Sequence, residues 1–367
     1  MKKLIPLILS LCLFLGGCSQ ILPKEETSLD YASAQTEEIL QAMTLDEKIA
    51  QLFIVSFPTV DAPIYTQKYN FGGYIFFGNH FKNSDPEAFK KSIEDCMENA
   101  KIPLFTAVDE EGGIVTRASR YPQFRKTPFS SPRALYNQGG FKLIAEDTAE
   151  KCEFLKDLGI NLNLAPVCDI SQNSEDFIYE RTVGLDAEKT SEYVKTVVCE
   201  MEKLHMGSAL KHFPGYGGNV DTHIGLSVDS RELEDFYDAD FQPFKAGIQA
   251  GATMVMVSHN IVTCMDKDKP ASLSPKLHDI LREELGFRGI IITDDLSMGA
   301  INEFTDKENP AVGAIMAGND MVCVSGDFKP MLNAVKDAVK SGKIPESRID
   351  ESVKRIIECK KNLKLFK

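Results

Sequence analysis

Basic residues are the first deficit in this chain. Lys and Arg number 41 against 54 Asp and Glu, giving a formal net charge of −13. Phosphate backbones are held by basic surfaces, so this balance argues against a nucleic-acid partner and otherwise speaks only to solubility. Nine cysteines are present, yet none share a Cys-x-x-Cys spacing, which leaves neither a disulfide framework nor a zinc site supported. Several sit in apolar surroundings, such as Val197-Val198-Cys199 and Met321-Val322-Cys323-Val324, and read as small core residues. A glycine-rich phosphate cradle is missing too: Glu110-Glu111-Gly112-Gly113 opens with acids where a phosphate needs donors, and the glycines after Lys211 lack P-loop spacing. No serine stands in a nucleophile elbow.

At the N-terminus, Met1-Lys2-Lys3 is followed by an apolar run from Leu4 to Leu15 and then Gly16-Gly17-Cys18. The run is too short to cross a bilayer as a stable helix and reads as a signal peptide. Leu15-Gly16-Gly17-Cys18 also resembles the lipobox of bacterial lipoproteins, in which the cysteine is lipidated and becomes the new N-terminus. The expectation is a signal peptide over residues 1–18 with Cys18 as lipidation site, a polar tether over 19–30, and one domain over 31–367. A lipid anchor would hold that domain at the outer side of the bacterial cell membrane.

Short, apolar, β-branched runs bounded by turn residues recur through the remainder. They are Leu52–Phe57, Gly73–Phe77, Leu104–Asp109, Leu162–Asp169, Ser208–Phe213, Met254–His259, Gly289–Asp294 and Met321–Val324. Helical stretches alternate with them: Pro86–Ala100, Ala145–Leu158, Ala187–His205, Glu232–Ala250 and Ser274–Leu285, with two more at Met331–Ser341 and Arg348–Leu363. Asp85 followed by Pro86 is a clear helix start. Tyr31–Ala50 would form an N-terminal helix covering the base or rim. Near-continuously apolar strands alternating with helices indicate a parallel sheet covered on its outer face. Eight such units predict an α/β fold, a (β/α)8 TIM-type barrel forming a single catalytic domain.

The strand ends are alike in being polar. Gly78-Asn79-His80, Asp109-Glu110, Asp169, Lys211-His212, Ser258-His259-Asn260 and Asp294-Asp295 all fall where barrel active sites are built. The densest segment is Lys211 to His223, with two histidines, a lysine and an aspartate around three glycines and a proline. In an extended loop Asp221 and His223 project to one side, and a carboxylate beside an imidazole fixes its tautomer and raises its basicity. Alone, an Asp-x-His pair is most simply a solvated loop pair; its company is what singles it out. Metal ligation by His212 and His223 lacks a third and fourth ligand at any telling spacing. Asp294 closes the apolar strand Gly289-Ile290-Ile291-Ile292-Thr293, so its carboxylate can be aimed. A carboxylate nucleophile paired with a protonated acid is what retaining glycoside hydrolysis requires, and the His223–Asp221 pair would take the role of the acid.

At this point the residues resemble a family. Leu281–Gly289 followed by Ile290-Ile291-Ile292-Thr293-Asp294-Asp295-Leu296-Ser297-Met298 looks like the nucleophile signature of glycoside hydrolase family 3. The Lys211–His223 stretch looks like the loop marking that family's β-N-acetylhexosaminidases. Further matches are Gly72–Phe77, Ala107–Gly113, Leu164–Asp169 and Ala317–Met321, so the resemblance runs from about Thr44 to Val324. It implies Asp294 as nucleophile and His223 as acid and base with Asp221 orienting it. Asp109, Arg117, Arg181, Lys211 and His212 fall where the family contacts N-acetylglucosamine, and Asp169 would support that group from its strand end. It further implies removal of terminal β-linked N-acetylglucosamine from peptidoglycan fragments or other N-acetylhexosaminides. No cofactor or metal is expected, and the enzyme is expected to be a monomer.

Two departures from the family pattern bear on preference beyond the first sugar. Tyr216 stands where the family usually has His, in a loop one residue shorter before Asp221, and Ile114 stands where Arg is usual. Other readings fit the same residues: a β-glucosidase or xylosidase, a phosphorylase, or a non-catalytic lipid-anchored glycan-binding protein. Outside the site, His205 and His278 read as surface residues, and His259 as a pocket residue without an assigned role.

Overall fold

The computed structural model describes residues 28–219, 227–298, 301 and 308–366. The signal peptide, Cys18 and most of the tether therefore lie outside the described residues, as do Asp221 and His223. The first described helix, Ser28–Ala42, begins three residues before the expected start at Tyr31. A second, Leu45–Gln51, follows after a break at Thr44. One helix over Tyr31–Ala50 was expected; the break arises because Thr44 and Glu47 form a reciprocal capping box that starts a new helix. Among the described residues no helix is long and apolar enough to cross a membrane.

Eight parallel strands close into a barrel in the order β1-β10-β9-β7-β5-β4-β3-β2. They are β1 (Phe53–Ser56), β2 (Gly73–Phe76), β3 (Phe105–Val108), β4 (Leu162–Asn163), β5 (Gly207–Phe213), β7 (Met254–Val257), β9 (Ile290–Asp295) and β10 (Met321–Val324). Two-residue strands β6 (Val228–Asp229) and β8 (Ile261–Val262) pair separately above them. The expected (β/α)8 architecture is thus the observed one. Every residue of β2, β3, β5, β7 and β10 is buried, because one face of each strand fills the barrel and the other meets a helix. That double burial is why the strands read as unbroken apolar runs.

β4 is shorter than the expected Leu162–Asp169. Proline lacks the amide that a ladder needs, and Pro166 interrupts the run. Asn163 instead spends its side chain on the segment just past β3, accepting from the Glu110 amide at 2.9 Å and donating to its carbonyl at 3.0 Å. The helices start as their caps dictate: Asp85, Ser131, Asp186 and Asn309 each accept an amide of the first turn. The helix expected at Ala145–Leu158 extends back to Pro132, through a kink where Gly140 takes φ +63°.

The opposite, N-terminal end of the barrel is tied by a different set of charges. Asp320, fully buried before β10, accepts from Ser352 and Arg355 at 2.8 and 2.9 Å. Lys360, equally buried, donates to Gln51 at 2.7 Å. Conserving the shape of that end is a matter of stability, since barrel chemistry is built at the other. His278 belongs to this interior: it is buried, with Nδ1 2.8 Å from the Ser274 carbonyl oxygen, so its reading as a surface residue is corrected. Its helix turns inward against Gly318, a contact that no local sequence pattern reports.

Candidate active site

The C-terminal mouth of the barrel gathers charges from four strand ends. β3 delivers Asp109, Glu110 and Glu111; β5 delivers Lys211 and His212; Asp169 follows β4, and Asp294 and Asp295 end β9. In a regular strand, neighbours such as Lys211 and His212 point to opposite faces. Here the β5–β7 register shifts between Leu210 and Phe213, and both side chains join one hydrogen-bonded cluster. A second shift separates Met321 from Cys323 on the β10–β9 ladder. Ladder irregularities at barrel rims re-aim side chains in this way.

Lys211 lies at the centre. Its ammonium is 2.8 Å from Asp109 and 2.6 Å from Glu111. Arg181 clamps Glu111 with two bonds, Nε–Oε2 at 3.0 Å and Nη2–Oε1 at 2.7 Å, the bidentate geometry that favours arginine over lysine. Arg117 approaches Asp109 at 3.5 Å. Counting Asp169, three carboxylates face three cations, so the cluster is balanced without a bound ion. Burial opposes charge on Asp109 and Glu111, but the Lys211 field with Arg117, and the Arg181 and Lys211 fields respectively, outweigh it. Both carboxyls are held below their usual range. Burial likewise opposes the Lys211 and Arg181 charges, and the facing carboxylates outweigh it and push both upward.

His212 completes the cluster. Its Nδ1 is 2.8 Å from Asp169 Oδ2, and its Nε2 is 3.1 Å from Arg181 Nη2. A guanidinium only donates, so Nε2 accepts and Nδ1 carries the proton toward Asp169. The other Asp169 oxygen accepts the Tyr216 amide at 2.7 Å. The Tyr216 ring is buried edge-on against His212, with centroids 5.5 Å apart. The position where this chain departs from the family pattern therefore walls the imidazole. Ile114, the other departure, is exposed.

Asp294 Oδ1 accepts the Asp295 amide at 2.8 Å. Asp295 turns the other way, its Oδ1 accepting the Ser297 and Ser325 amides, each at 2.9 Å. Asp295 thereby ties the turn after β9 to the end of β10. His259, buried at the end of β7, bridges Ser272 Oγ at 2.8 Å and the Asp295 carbonyl oxygen at 3.1 Å, so it braces the strand end carrying Asp294. The Cys323 thiol, on β10, is buried. Burial raises its pKa first, and the Asp295, Asp294 and Asp109 charges add to that while Lys211 opposes it.

The expected residues Asp109, Arg117, Arg181, Lys211 and His212 are brought together; Asp221 and His223 lie outside the described residues. Glu111 was overlooked as a site residue, although it holds Lys211 and Arg181 at once. Its place three residues past the end of β3 was the available signal. Side-chain exposure orders the cluster: Arg117 at 25% and Asp109 at 15% face the opening, whereas Lys211 and Glu111, each at 2%, lie beneath them. Glu110 is fully buried and serves the backbone, accepting the Arg117 and Ala118 amides at 3.0 and 2.8 Å. Such a mouth presents a carboxylate acceptor and guanidinium donors in fixed positions, suited to a neutral polyhydroxylated ligand. Among the described residues no cluster of three or more His, Cys, Asp or Glu is arranged to hold a metal ion.

Comparison with known proteins places this architecture. The Glycosyl hydrolase family 3 N terminal domain matches residues 44–359. A beta-hexosaminidase of Nitrosomonas eutropha is 32% identical over 268 residues, covering 70% of this chain and 74% of that protein. Beta-hexosaminidase LpqI of Mycobacterium tuberculosis is 28% identical over 326 residues, covering 86% and 82%. The solved structure of a glycoside hydrolase family 3 beta-N-acetylglucosaminidase from Paenibacillus sp. superposes with a TM-score of 0.82 at 31% identity. It covers 88% of this chain, which spans 63% of that longer one. With the family's domain matched over most of its length on a closed eight-stranded barrel, this chain belongs to glycoside hydrolase family 3.

Proposed function

We propose that the protein is an exo-acting, retaining β-N-acetylhexosaminidase that releases terminal β-linked N-acetylglucosamine, from peptidoglycan fragments or other N-acetylhexosaminides. The observation that carries this reading is the charge-balanced Asp109–Lys211–Glu111–Arg181–His212 cluster, whose β3 acids stand opposite the β9 strand end of Asp294 in the closed barrel. The relatives named as hexosaminidases agree with it.

In this reading the sugar hydroxyls bind Asp109 and Arg117 at the open side of the cluster, while Lys211 fixes Asp109 and Arg181 and His212 complete the pocket wall. Asp294 attacks the anomeric carbon as His223 gives its proton to the leaving oxygen. The glycosyl–aspartate bond that results is broken by water, whose proton His223 takes back, with Asp221 holding the imidazole throughout. The substrate is captured without a cofactor. Cys18, lipidated after signal-peptide removal, would anchor the enzyme outside the cell membrane.

The test is release of aryl alcohol from N-acetylglucosaminide, glucoside and xyloside side by side, with and without phosphate. Activity confined to the N-acetylglucosaminide and independent of phosphate is the expected result. Preference for glucoside or xyloside, or a sugar phosphate as product, would replace the reading with a glucosidase, xylosidase or phosphorylase.

A further inference from the structure

The β7–β9 ladder reaches Val257 opposite Thr293, while β9 itself runs on through Asp294 to Asp295. Past Val257 the chain of β7 turns to other partners. The Ser258 amide donates to the Phe213 carbonyl oxygen on β5, and the Ile261 amide to that of Ser227. At this point a side chain takes the place of the ladder. His259, fully buried, sets its Nε2 3.1 Å from the Asp295 carbonyl oxygen. A carbonyl only accepts, so Nε2 carries the proton, and the neutral ring accepts the Ser272 hydroxyl at Nδ1, 2.8 Å away.

Ser272 is itself fixed. Its amide donates to the Ser258 carbonyl oxygen at 3.0 Å, and its own carbonyl oxygen accepts Asn319 Nδ2 at 2.8 Å. The imidazole is therefore a strut between the turn Ala271–Leu273 and the end of β9. From the other side β10 holds the same end: Thr293 Oγ1 accepts the Cys323 amide at 3.2 Å, and the Leu296 amide donates to the Cys323 carbonyl oxygen at 2.9 Å. The carbonyl that His259 meets and the amide that holds Asp294 Oδ1 at 2.8 Å belong to one residue, Asp295. One chain of contacts thus runs from Asn319 through Ser272, His259 and Asp295 to the Asp294 carboxylate.

We infer that His259 is a positioning residue for the nucleophile: by holding the Asp295 carbonyl it fixes the peptide whose amide orients the Asp294 carboxylate. The inference rests on the reading of Asp294 as nucleophile. In-line attack tolerates little misplacement, and an error of about 1 Å can cost ~100-fold in rate. The consequence is selective. The sugar-side cluster stands on β3, on β5 and after β4, whereas the contacts of His259 lie on β9 and the turn bearing Ser272. Loss of the strut should slow attack and leave sugar binding in place. The donor can be moved by substitution: a glutamine amide nitrogen stands near the place of Nε2, an asparagine amide nitrogen near that of Nδ1.

The experiment compares His259→Ala, His259→Gln and His259→Asn with the parent in the full chain. The substrate is a 2,4-dinitrophenyl N-acetylglucosaminide, whose leaving group needs no proton, so kcat/KM reports attack by the nucleophile. The inhibition constant of N-acetylglucosamine, measured beside it, reports sugar binding. For His259→Ala, kcat/KM should fall by roughly 10- to 100-fold while the inhibition constant moves less than about 3-fold. His259→Gln, which restores the donor, should return to within about 5-fold of the parent, and His259→Asn should not. An inhibition constant that rises in step with the loss of kcat/KM would make the strut merely structural and overturn the inference. So would an asparagine variant as active as the glutamine one, or an alanine variant within about 3-fold of the parent. Asp294→Ala, run in parallel, should abolish turnover; parental activity there would remove the nucleophile reading and the inference with it, whatever the His259 variants show. Should His259→Ala fail to fold, the glutamine and asparagine variants decide the matter, because both keep a polar side chain in the space.

Discussion

Asp240→Asn should make the protein more stable at neutral pH, and the gain should vanish in acid. Asp240 is buried, 3% exposed, and shares Arg231 with Asp229 on unequal terms. Asp229 receives the Arg231 amide at 3.0 Å, Nε and Nη2 of its guanidinium, and Asn219. Burial opposes its charge, but those bonds outweigh it and hold its carboxyl low. Asp240 receives a single bond, and its Oδ1 has no hydrogen-bond partner among the described residues. Burial therefore dominates, the Asp169 and Asp229 charges add to it, Arg231 only partly opposes, and the carboxyl is raised from 3.8 to about 6. A folded pKa above the unfolded one means the native state holds this proton more tightly. Below about pH 4 both states are protonated and nothing is lost; as pH rises toward 6 the unfolded chain releases its proton first, and stability falls. The difference of about two pH units corresponds to roughly 3 kcal/mol as an upper bound. Asparagine keeps the shape and cannot ionise. The stability difference, variant minus parent, should rise by up to about 3 kcal/mol between pH 4 and 7. Urea unfolding followed by far-ultraviolet circular dichroism suits a chain with no tryptophan. A difference that stays flat or declines across that range would refute the reasoning.

Further outcomes follow from the site and the fold. Glu111→Gln leaves Arg181 buried without its bidentate carboxylate; removal of one partner from such a pair costs about 3–5 kcal/mol, and both unfolding midpoint and KM for the N-acetylglucosaminide should show it, an unchanged KM placing the cluster outside substrate binding. A 2-fluoro or slow-leaving glycoside should leave its covalent adduct on Asp294, read by peptide mapping; an adduct on Asp295 or Glu110 would reassign the nucleophile, and an inverted product would discard the mechanism. Gly73→Ala drives a Cβ to 2.4 Å from the Phe105 carbonyl oxygen between β2 and β3, so soluble expression and thermal midpoint should both drop, whereas a neutral outcome would show that the two strands can part. Cys18→Ala should abolish incorporation of labelled lipid and release the protein from membranes; labelling of that variant would exclude Cys18 as the anchor.

Much of the barrel was legible because its physics is local and repetitive. A strand buried on both faces must be apolar at every position, and a helix that packs on it must be capped, so β2, β10 and the start at Asp85-Pro86 announce themselves. Where the expectation failed, a side chain had replaced the backbone pattern: Asn163 takes over hydrogen bonds beyond a two-residue β4, and Thr44 with Glu47 divides the N-terminal helix. The family signature around Asp294 was equally visible, since strand, carboxylate and turn are contiguous.

Pairing was what the chain could not announce in one dimension. Glu111 read as an acid that repels phosphate; its meaning depends on Lys211 and Arg181, 100 and 70 residues away, which only barrel closure brings to 2.6–2.7 Å. Asp229 and Asp240 are the same residue type on the same arginine, yet one carboxyl is lowered and the other raised. His278 became interior by the tilt of its helix against Gly318. Sequence thus determined which segments are buried and where polar strand ends lie, because hydrophobic patterning is a property of each element alone. The tertiary structure decided which charges neutralise one another and which remain strained by burial, because that energy depends on distance and desolvation between elements that meet only after the chain has folded.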